Sequence, residues 1–368
     1  MSFRLQPPDM VHEASRVQKG YNPFMECLLF VGIFFITQVF LSLLSVIPMM
    51  GFGIYIAFTE DAGAPAMAPA ALMKELNTVS MICMLYGELA AIFLVLGLCR
   101  WFQKRKAWTL GFKNEHILKE YSIGMGLGFL MMTLVVLAAW ITGALKLSVN
   151  PELGTMRSNI MLLILFVGFL FQGMFEEVLC RGYFLISLAR RKGNMWMAIL
   201  VSALFFSAMH LGNAGISPLA FLNLTLFGIF AGIYFVKRGN LWGVGALHSI
   251  WNFTQGNIWG VLVSGIDLDV SLFTARIDDS MSLLNGGSFG PEGGLLVSMV
   301  LIAGSLILLK LPQKDAAPAA GIASCDLCGE ENLETVREAA PSQPQEFTQA
   351  EEFSGAPDSD SDTGEADE

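Results

Sequence analysis

The sequence predicts an all-α, polytopic membrane protein with eight transmembrane helices and a functional site inside the helix bundle. Of its 368 residues, 54% are hydrophobic and only 15% are charged, whereas about a quarter of the residues in a soluble domain are charged. Uncharged runs of the ~20 residues needed to cross a hydrocarbon core ~30 Å thick recur along the chain. This composition excludes an ordinary water-soluble enzyme.

The uncharged runs place the helices. The longest stretch without a charge extends from Gly193 to Val236. It is predicted to hold two helices, because turn signals at 212–215 and 217–218 divide it. Segments 51–78 and 264–292 are predicted to be long external loops. The predicted spans are 26–49, 79–99, 122–145, 159–180, 195–211, 218–236, 241–263 and 293–310.

The positive charges of the loops predict the orientation, because loops rich in Lys and Arg stay on the cytoplasmic side. Sixteen Lys and Arg residues lie in the N-terminal segment, in the loops that follow helices 2, 4 and 6, and in the segment after helix 8. The opposite loops contain only Lys74, Lys146, Arg157 and Arg276. We therefore expect a multi-pass protein of the plasma membrane with both termini in the cytoplasm.

Composition divides the chain into three regions. Residues 1–23 are predicted to be a cytoplasmic N-terminal segment, and 24–311 the eight-helix membrane domain. Beyond them, residues 315–368 contain 15 acidic residues and one basic residue. A segment of this composition cannot bury enough apolar surface to offset the loss of chain entropy. Region 312–368 is therefore predicted to be a disordered, acidic, cytoplasmic tail.

Ionisable and polar side chains cluster inside three of the apolar helices. Burying a charged side chain at the centre of a membrane helix costs ~2.5–3.5 kcal/mol on insertion scales, so such a residue suggests a function. The cluster consists of Glu176, Glu177 and Arg181 in helix 4, His210 in helix 5, and His248 and Asn252 in helix 7.

Helical spacing assigns these side chains to faces. Glu177 and Arg181 are four residues apart, so they lie on one side of helix 4 and can form an ion pair. Glu176 points ~100° away and is predicted to be unpaired and free to face a cavity. His248 and Asn252 are also four residues apart and present two polar groups side by side.

This set of side chains has the groups needed to hydrolyse a carbonyl compound with water. A buried carboxylate facing a histidine can act as general base towards a shared water near neutral pH, which assigns Glu176 and His210 to the water. His and Asn can hold an oxyanion, which assigns His248 and Asn252 to that role. The alternative is that these residues pack helices together, but two carboxylates, one arginine, two histidines and an asparagine are hard to explain by packing alone.

The same residues resemble the motifs of the CAAX protease and bacteriocin-processing family of intramembrane endopeptidases, which includes the type II CAAX prenyl protease. The likeness covers roughly residues 80–310, and the local context resembles bacterial members. The matching motifs are Glu-Glu-x-x-x-Arg at Glu176, Glu177 and Arg181, Phe-x-x-x-His at Phe206 and His210, and His-x-x-x-Asn at His248 and Asn252.

The resemblance implies an intramembrane endopeptidase with a catalytic core at about 158–263 and no covalent acyl-enzyme. It implies a peptide or membrane-protein substrate within the lipid bilayer, and we expect no nucleic-acid partner. The eukaryotic family members' prenylated substrates are not carried over to this chain, and its substrate and oligomeric state stay open. The other class of function that fits is a membrane transporter or scaffold that uses the polar cluster for binding.

No cofactor is expected. Because family members have also been regarded as metalloproteases, the main alternative is a zinc ion held by Glu176, His210 and His248, which are suitable ligand types. The chain lacks the His-Glu-x-x-His helix of many zinc proteases, and Asn is a poor zinc ligand. The metal-free mechanism is therefore favoured.

Two features of the apolar helices lie outside these motifs. Glu88, in predicted helix 2, is expected at a depth similar to that of the polar cluster, where it could line the cavity or pair with Arg181. The glycines of Gly124-Met125-Gly126-Leu127-Gly128 open a membrane helix. They are predicted to allow close helix packing rather than to bind a nucleotide.

Overall fold

The protein is mostly helical in a computed structural model that describes residues 5–18, 20–61, 69–268 and 270–314. All of these residues belong to one compact unit of the chain. The predicted acidic tail lies outside the described residues from 315 onwards. The α-helices are α1 (Asp9–Val17), α2 (Pro23–Asp61), α3 (Pro69–Phe102), α4 (Ile117–Ile141), α5 (Met156–Glu177), α6 (Ile186–Lys192), α7 (Met195–Met209), α8 (Pro218–Arg238), α9 (Leu241–Phe253), α10 (Ser282–Asn285) and α11 (Leu295–Lys310).

Shorter elements connect or extend these helices. The π-helical segments Val178–Leu185 and Thr254–Ile258 continue α5 and α9, respectively. Strands β1 (Leu145–Val149) and β2 (Phe273–Ile277) form an antiparallel pair in which Leu145 lies opposite Ile277. Single 3₁₀ turns lie at Ala107–Leu110, Asp279–Met281, Gly287–Phe289 and Pro291–Gly293.

The predicted membrane character is confirmed, and the number of spans is confirmed only in part. Within the described ranges, five helical stretches are long and apolar enough to cross a membrane. They correspond to predicted spans 1, 2, 3, 4 and 6, while α7 and α11 are shorter apolar helices at predicted spans 5 and 8. The five stretches are Pro23–Thr59, Ala71–Phe102, Ile117–Ile141, Met156–Arg191 and Pro218–Arg238.

The prediction of a long external loop at 51–78 is wrong. Helix α2 continues to Asp61 and α3 begins at Pro69, while residues 62–68 lie outside the described part of the chain. The hydropathy pattern missed these extensions because Ala, Met, Leu, Lys and Glu, which together are frequent in this segment, favour a helix whether or not the stretch is apolar.

The region after α9 also differs from the prediction. Predicted span 7 ends early, because α9 stops at Phe253 and its π-helical continuation at Ile258. The predicted loop 264–292 contains β2 and short helical turns. Strand β2 pairs with β1, which follows α4 where the third span was predicted to continue to 145. The all-α prediction therefore omitted a small two-stranded sheet.

Sequence signals explain where the helices of the core begin. Asn194, Ser217 and Asn240 precede α7, α8 and α9, and each side chain accepts a hydrogen bond from a backbone N–H of the first turn. Such caps satisfy donors that have no partner within the helix. Gly193 and Gly239 end the preceding helices with positive φ angles of 66°, a conformation that glycine adopts without steric cost.

The chain ends that flank the membrane domain are packed against it where they are described. Met10, Val11 and Ala14 of α1 are buried, and α1 contacts α6. The backbone N–H of Gln6 donates to the side-chain oxygen of Gln313 at 3.0 Å. The predicted N-terminal segment 1–23 therefore contains a docked helix.

Helix α2 presents an apolar surface outwards. Phe35, Val39 and Leu43 are 61%, 59% and 64% exposed and are four residues apart, so they lie on one face. A contiguous exposed apolar face of this kind is typical of a helix that contacts lipid.

Glycines of α4 let α9 approach closely, as predicted for this segment. A Cβ added to Gly124 would collide with the carbonyl group of Gly243, and one added to Gly128 would collide with that of Leu247. In contrast, a Cβ on Gly126 would meet nothing within 4 Å. The two outer glycines therefore set the position of α9, which carries part of the polar cluster.

We predict that Gly128→Ala destabilises the protein by ~1–3 kcal/mol, because the added methyl group must push α4 away from the backbone of α9. Thermal unfolding of the detergent-solubilised chain measures this change. Gly126→Ala is the matched control and should leave the midpoint unchanged or raise it slightly, because alanine favours the helical backbone. Equal midpoints for the two variants would contradict the packing account.

Candidate functional site

A cavity of about 390 Å³ opens between the helices. Four of the six predicted site residues line it: Glu176 on α5, His210 after the end of α7, and His248 and Asn252 on α9. Glu177 and Arg181 are not among the lining residues, and both are fully buried. The structure therefore brings all six residues to one region and separates them into a cavity-facing group and a supporting pair.

Glu177 joins the supporting pair to the cavity. Its Oε1 accepts a hydrogen bond from Nη1 of Arg181 at 2.6 Å, so the predicted ion pair is present. The same oxygen accepts a hydrogen bond from Nδ1 of His248 at 2.8 Å. Because an ionised carboxylate can only accept, Nδ1 of His248 carries a proton and the imidazole ring is held in one orientation.

Arg181 lies where the helix widens. It belongs to the π-helical segment Val178–Leu185, a rare conformation that is frequent at functional sites. Its Nη2 donates to the carbonyl oxygen of Gly228 on α8 at 3.2 Å, and its guanidinium carbon is 4.9 Å from the centre of the Phe206 ring. Arg181 therefore offsets the charge of Glu177 and also contacts α7 and α8.

Glu176 faces the cavity, as its helical position predicts, but it is not free of partners. Its Oε1 accepts a hydrogen bond from Nε2 of Gln172 at 2.7 Å. Its Oε2 lies 3.5 Å from Nε2 of His248. This oxygen is buried and has no hydrogen-bond partner among the described residues. It is therefore available to a molecule in the cavity.

Gln172 is a site residue that the sequence analysis missed. Its side-chain oxygen accepts a hydrogen bond from Nδ2 of Asn252 at 2.8 Å, and its nitrogen donates to Glu176. The amide thus connects α9 to the carboxylate through two hydrogen bonds. A signal was present, because Gln172 lies one helical turn before Glu176 in an otherwise apolar segment.

His210 differs from His248, the other histidine of the site, in its position relative to a helix. It follows the last residue of α7 instead of lying within a helix. Its Nδ1 donates to the carbonyl oxygen of Phe206 at 2.9 Å, so Nε2 is the nitrogen left for the cavity. The ring centre of Phe206 is 4.9 Å from that of His210, and the ring centre of Phe227 is 4.8 Å from that of His248. These aromatic rings form an apolar wall between the two imidazoles and their surroundings.

Glu292 contributes another carboxylate to the cavity wall and holds the segment between α9 and α11. Its Oε1 accepts from Nε1 of Trp251 at 3.2 Å. Its Oε2 accepts from the backbone N–H of Ser264 at 2.9 Å and from the hydroxyl of Ser264 at 2.6 Å. Glu292 therefore has a full set of partners and fixes the wall next to Asn252.

The zinc alternative requires three ligands around one point. In the parts of the chain that the structure describes, no three His, Cys, Asp or Glu side chains are grouped so that they could hold a metal ion. Of the three candidates, Glu176 and His248 are in contact, and each histidine uses Nδ1 in a hydrogen bond, which leaves Nε2 of both rings for other partners. His210 does not join Glu176 and His248 in a three-ligand group, so the described residues do not fit a zinc centre in this arrangement.

We predict that Arg181→Met destabilises the protein by ~3–5 kcal/mol, because it leaves the buried Glu177 without a compensating charge. The free energy of unfolding in mild detergent measures this change. The double variant Glu177→Gln/Arg181→Met removes both charges and should recover a large part of the lost stability. If the loss of unfolding free energy in the double variant equalled the sum of the two single losses, the pairing would be contradicted, because the effects of substituting two interacting residues do not add.

Residues 158–254 match the family model described as Type II CAAX prenyl endopeptidase Rce1-like. This segment contains all six predicted site residues and Gln172, and it is shorter than the stretch of 80–310 over which the resemblance was expected. No curated protein and no solved structure matches the chain significantly. The match and the long apolar helices support an endopeptidase role in a multi-pass membrane protein, and they are consistent with the CAAX protease and bacteriocin-processing family.

Proposed function

We propose that this protein is an intramembrane endopeptidase in which Glu176 and a histidine activate a water molecule without a metal cofactor. The observation that carries the proposal is the free Oε2 of Glu176, which faces the cavity 3.5 Å from Nε2 of His248. The imidazoles of His210 and His248 and the amide of Asn252 share that cavity. A general base and donors for a developing negative charge are the groups that peptide hydrolysis needs.

The first step forms the tetrahedral intermediate. A water molecule in the cavity donates one proton to Oε2 of Glu176 while its oxygen attacks the carbonyl carbon of the scissile peptide bond. Nδ1 of His210 is occupied by its hydrogen bond to Phe206. The other ring nitrogen, Nε2, accepts a hydrogen bond from the second hydrogen of the water. The carbonyl π electrons move to the carbonyl oxygen, which becomes the oxyanion.

The oxyanion is assigned to His248 and Asn252. Nδ1 of His248 already donates to Glu177, so donation from Nε2 to the oxyanion requires a doubly protonated ring. Glu176 and Glu177, on either side of the ring, supply opposite charge. Asn252 uses Nδ2 to donate to Gln172 and has a second N–H on the same nitrogen for the oxyanion.

The second step breaks the peptide bond. The intermediate collapses, the C–N bond breaks, and its electron pair goes to the leaving nitrogen. Glu176 returns its proton to that nitrogen, which gives a carboxylic acid and an amine and restores the carboxylate. One water is consumed per bond, and no covalent bond forms between the protein and the substrate.

We propose the plasma membrane as the location, with both termini in the cytoplasm, because the Lys and Arg residues of the loops are distributed so unequally. The substrate is then a peptide or a membrane protein that reaches the cavity from the bilayer. A transporter or scaffold does not require the free carboxylate oxygen of Glu176 to be directed at the imidazole of His248.

Glu176→Gln should lower kcat for a quenched peptide by about 10²–10⁴-fold, because the amide cannot accept the proton of the water. Asn252→Ala should lower it by about 10²–10³-fold through loss of an oxyanion donor. The measurement is cleavage of a quenched peptide library by the purified full-length chain. Glu152→Gln, which removes an exposed carboxylate outside the cavity, is the control and should be fully active. Parent-like cleavage by Glu176→Gln would overturn the proposal.

Activity should survive exhaustive treatment with a metal chelator, because the proposed base and oxyanion donors are side chains of the protein. Elemental analysis of the active sample should then find less than stoichiometric zinc. Loss of cleavage on chelation, restored by added zinc, would replace the proposed mechanism by a metal-dependent one at the same residues.

A further inference from the structure

One cavity-lining carboxylate has no role in the proposed hydrolysis. Glu88 on α3 is only 8% exposed, and its Oε2 is buried without a hydrogen-bond partner in the described part of the chain. The predicted alternative of a pair with Arg181 is not found, because Arg181 bonds to Glu177 and Gly228. A buried carboxylate oxygen without a partner is unfavourable unless something supplies compensating charge or a hydrogen bond.

Glu88 ends a continuous face of α3 that borders the cavity. The other members of this face follow Asn77 by three, four, seven, eight and eleven residues, so they lie along one side of the helix. The stripe is ~16 Å long at 1.5 Å per residue, which is the length of about five residues of extended chain. Its cavity-lining members are Asn77, Ser80, Met81, Met84, Leu85 and Glu88.

The stripe is next to the proposed reaction site. Leu85 packs against Gly168 of α5, where a Cβ would come within 3.0 Å of its side chain, and the hydroxyl of Tyr86 donates to the carbonyl oxygen of Ile164 at 3.0 Å. Glu88 and Glu176 line the same cavity. A substrate bound along the stripe would bring one of its side chains to Glu88 inside the cavity that Glu176 also lines.

The charge of the cavity favours a cationic side chain at this position. Glu88, Glu176 and Glu292 all contribute carboxylates to its lining, whereas no Lys or Arg is among the described residues that line it. The adjacent methionines, Met81 and Met84, offer flexible apolar surface to a hydrocarbon stem. A long stem with a positive end is the structure of a lysine or arginine side chain.

We propose that Glu88 is a specificity-determining residue that binds the basic side chain of a substrate residue near the scissile bond. This inference rests on the proposed function, and it adds the substrate class to it: peptides with a Lys or Arg close to the cleaved bond. The cationic group donates to Oε2 of Glu88, and its charge offsets the acidic lining of the cavity.

The test starts from a quenched peptide that the full-length chain cleaves. Each position around the cleaved bond is varied in turn, and lysine, norleucine and glutamate are compared at that position. The parent should cleave the lysine peptide about 10–100-fold better in kcat/KM than the norleucine peptide at one position, as expected for a charge-assisted hydrogen bond. Glu88→Gln should lower kcat/KM for the lysine peptide by this factor and leave the norleucine peptide within about twofold. Glu88→Lys should shift the preference to the glutamate peptide.

Two results would overturn this inference while the proposed function stands: a parent that cleaves without preferring lysine at any position, or a Glu88→Gln variant that loses the same factor for both peptides. The preference of the parent is independent of whether a variant folds. Binding of lysine and norleucine peptides with an N-methylated backbone is measured alongside by fluorescence anisotropy. A parent that cleaves no peptide but binds the lysine form through Glu88 would refute the proposed function and keep the cation site.

Discussion

The carboxylate of Glu177 is the centre on which the rest of the site depends. It is fully buried, and a single oxygen accepts hydrogen bonds from Arg181 and from His248. A buried charge is tolerated only where its partners are in place, so α5 and α9 must be held in one register. Gly173 of α5 makes this register possible, because a Cβ there would collide with the backbone of Ser249 on α9. The glycines at positions 124 and 128 likewise let α9 approach α4.

The two adjacent glutamates have different environments because they point to different sides of one helix. Glu177 faces inwards and orients an imidazole, while Glu176 faces the cavity and keeps one oxygen free. Gln172 connects Glu176 to Asn252, so one amide positions both the proposed base and a proposed oxyanion donor. Glu88 extends the acidic lining of the cavity along α3, and we propose that this lining selects substrates with a basic side chain near the cleaved bond.

Local spacing predicted much of this arrangement, and long-range pairing could not be predicted. The interval of four residues between Glu177 and Arg181 was sufficient for the ion pair, since helix geometry alone brings such residues together. The pairing of β1 with β2 joins segments more than 120 residues apart, for which hydropathy carries no signal. Gln172 was overlooked because a neutral amide in an apolar helix does not stand out as a charge does, and its role depends on where α9 packs.

The most direct test of the central claim is ¹⁵N NMR of the histidine side chains in the detergent-solubilised full-length chain, which has only four histidines to assign. The account predicts that Nδ1 of His248 carries a proton in the parent and that Glu177→Gln shifts the His248 signals, while His12 and His116 are unaffected. A His248 whose Nδ1 is unprotonated, or whose signals do not respond to the loss of the Glu177 charge, would contradict the account.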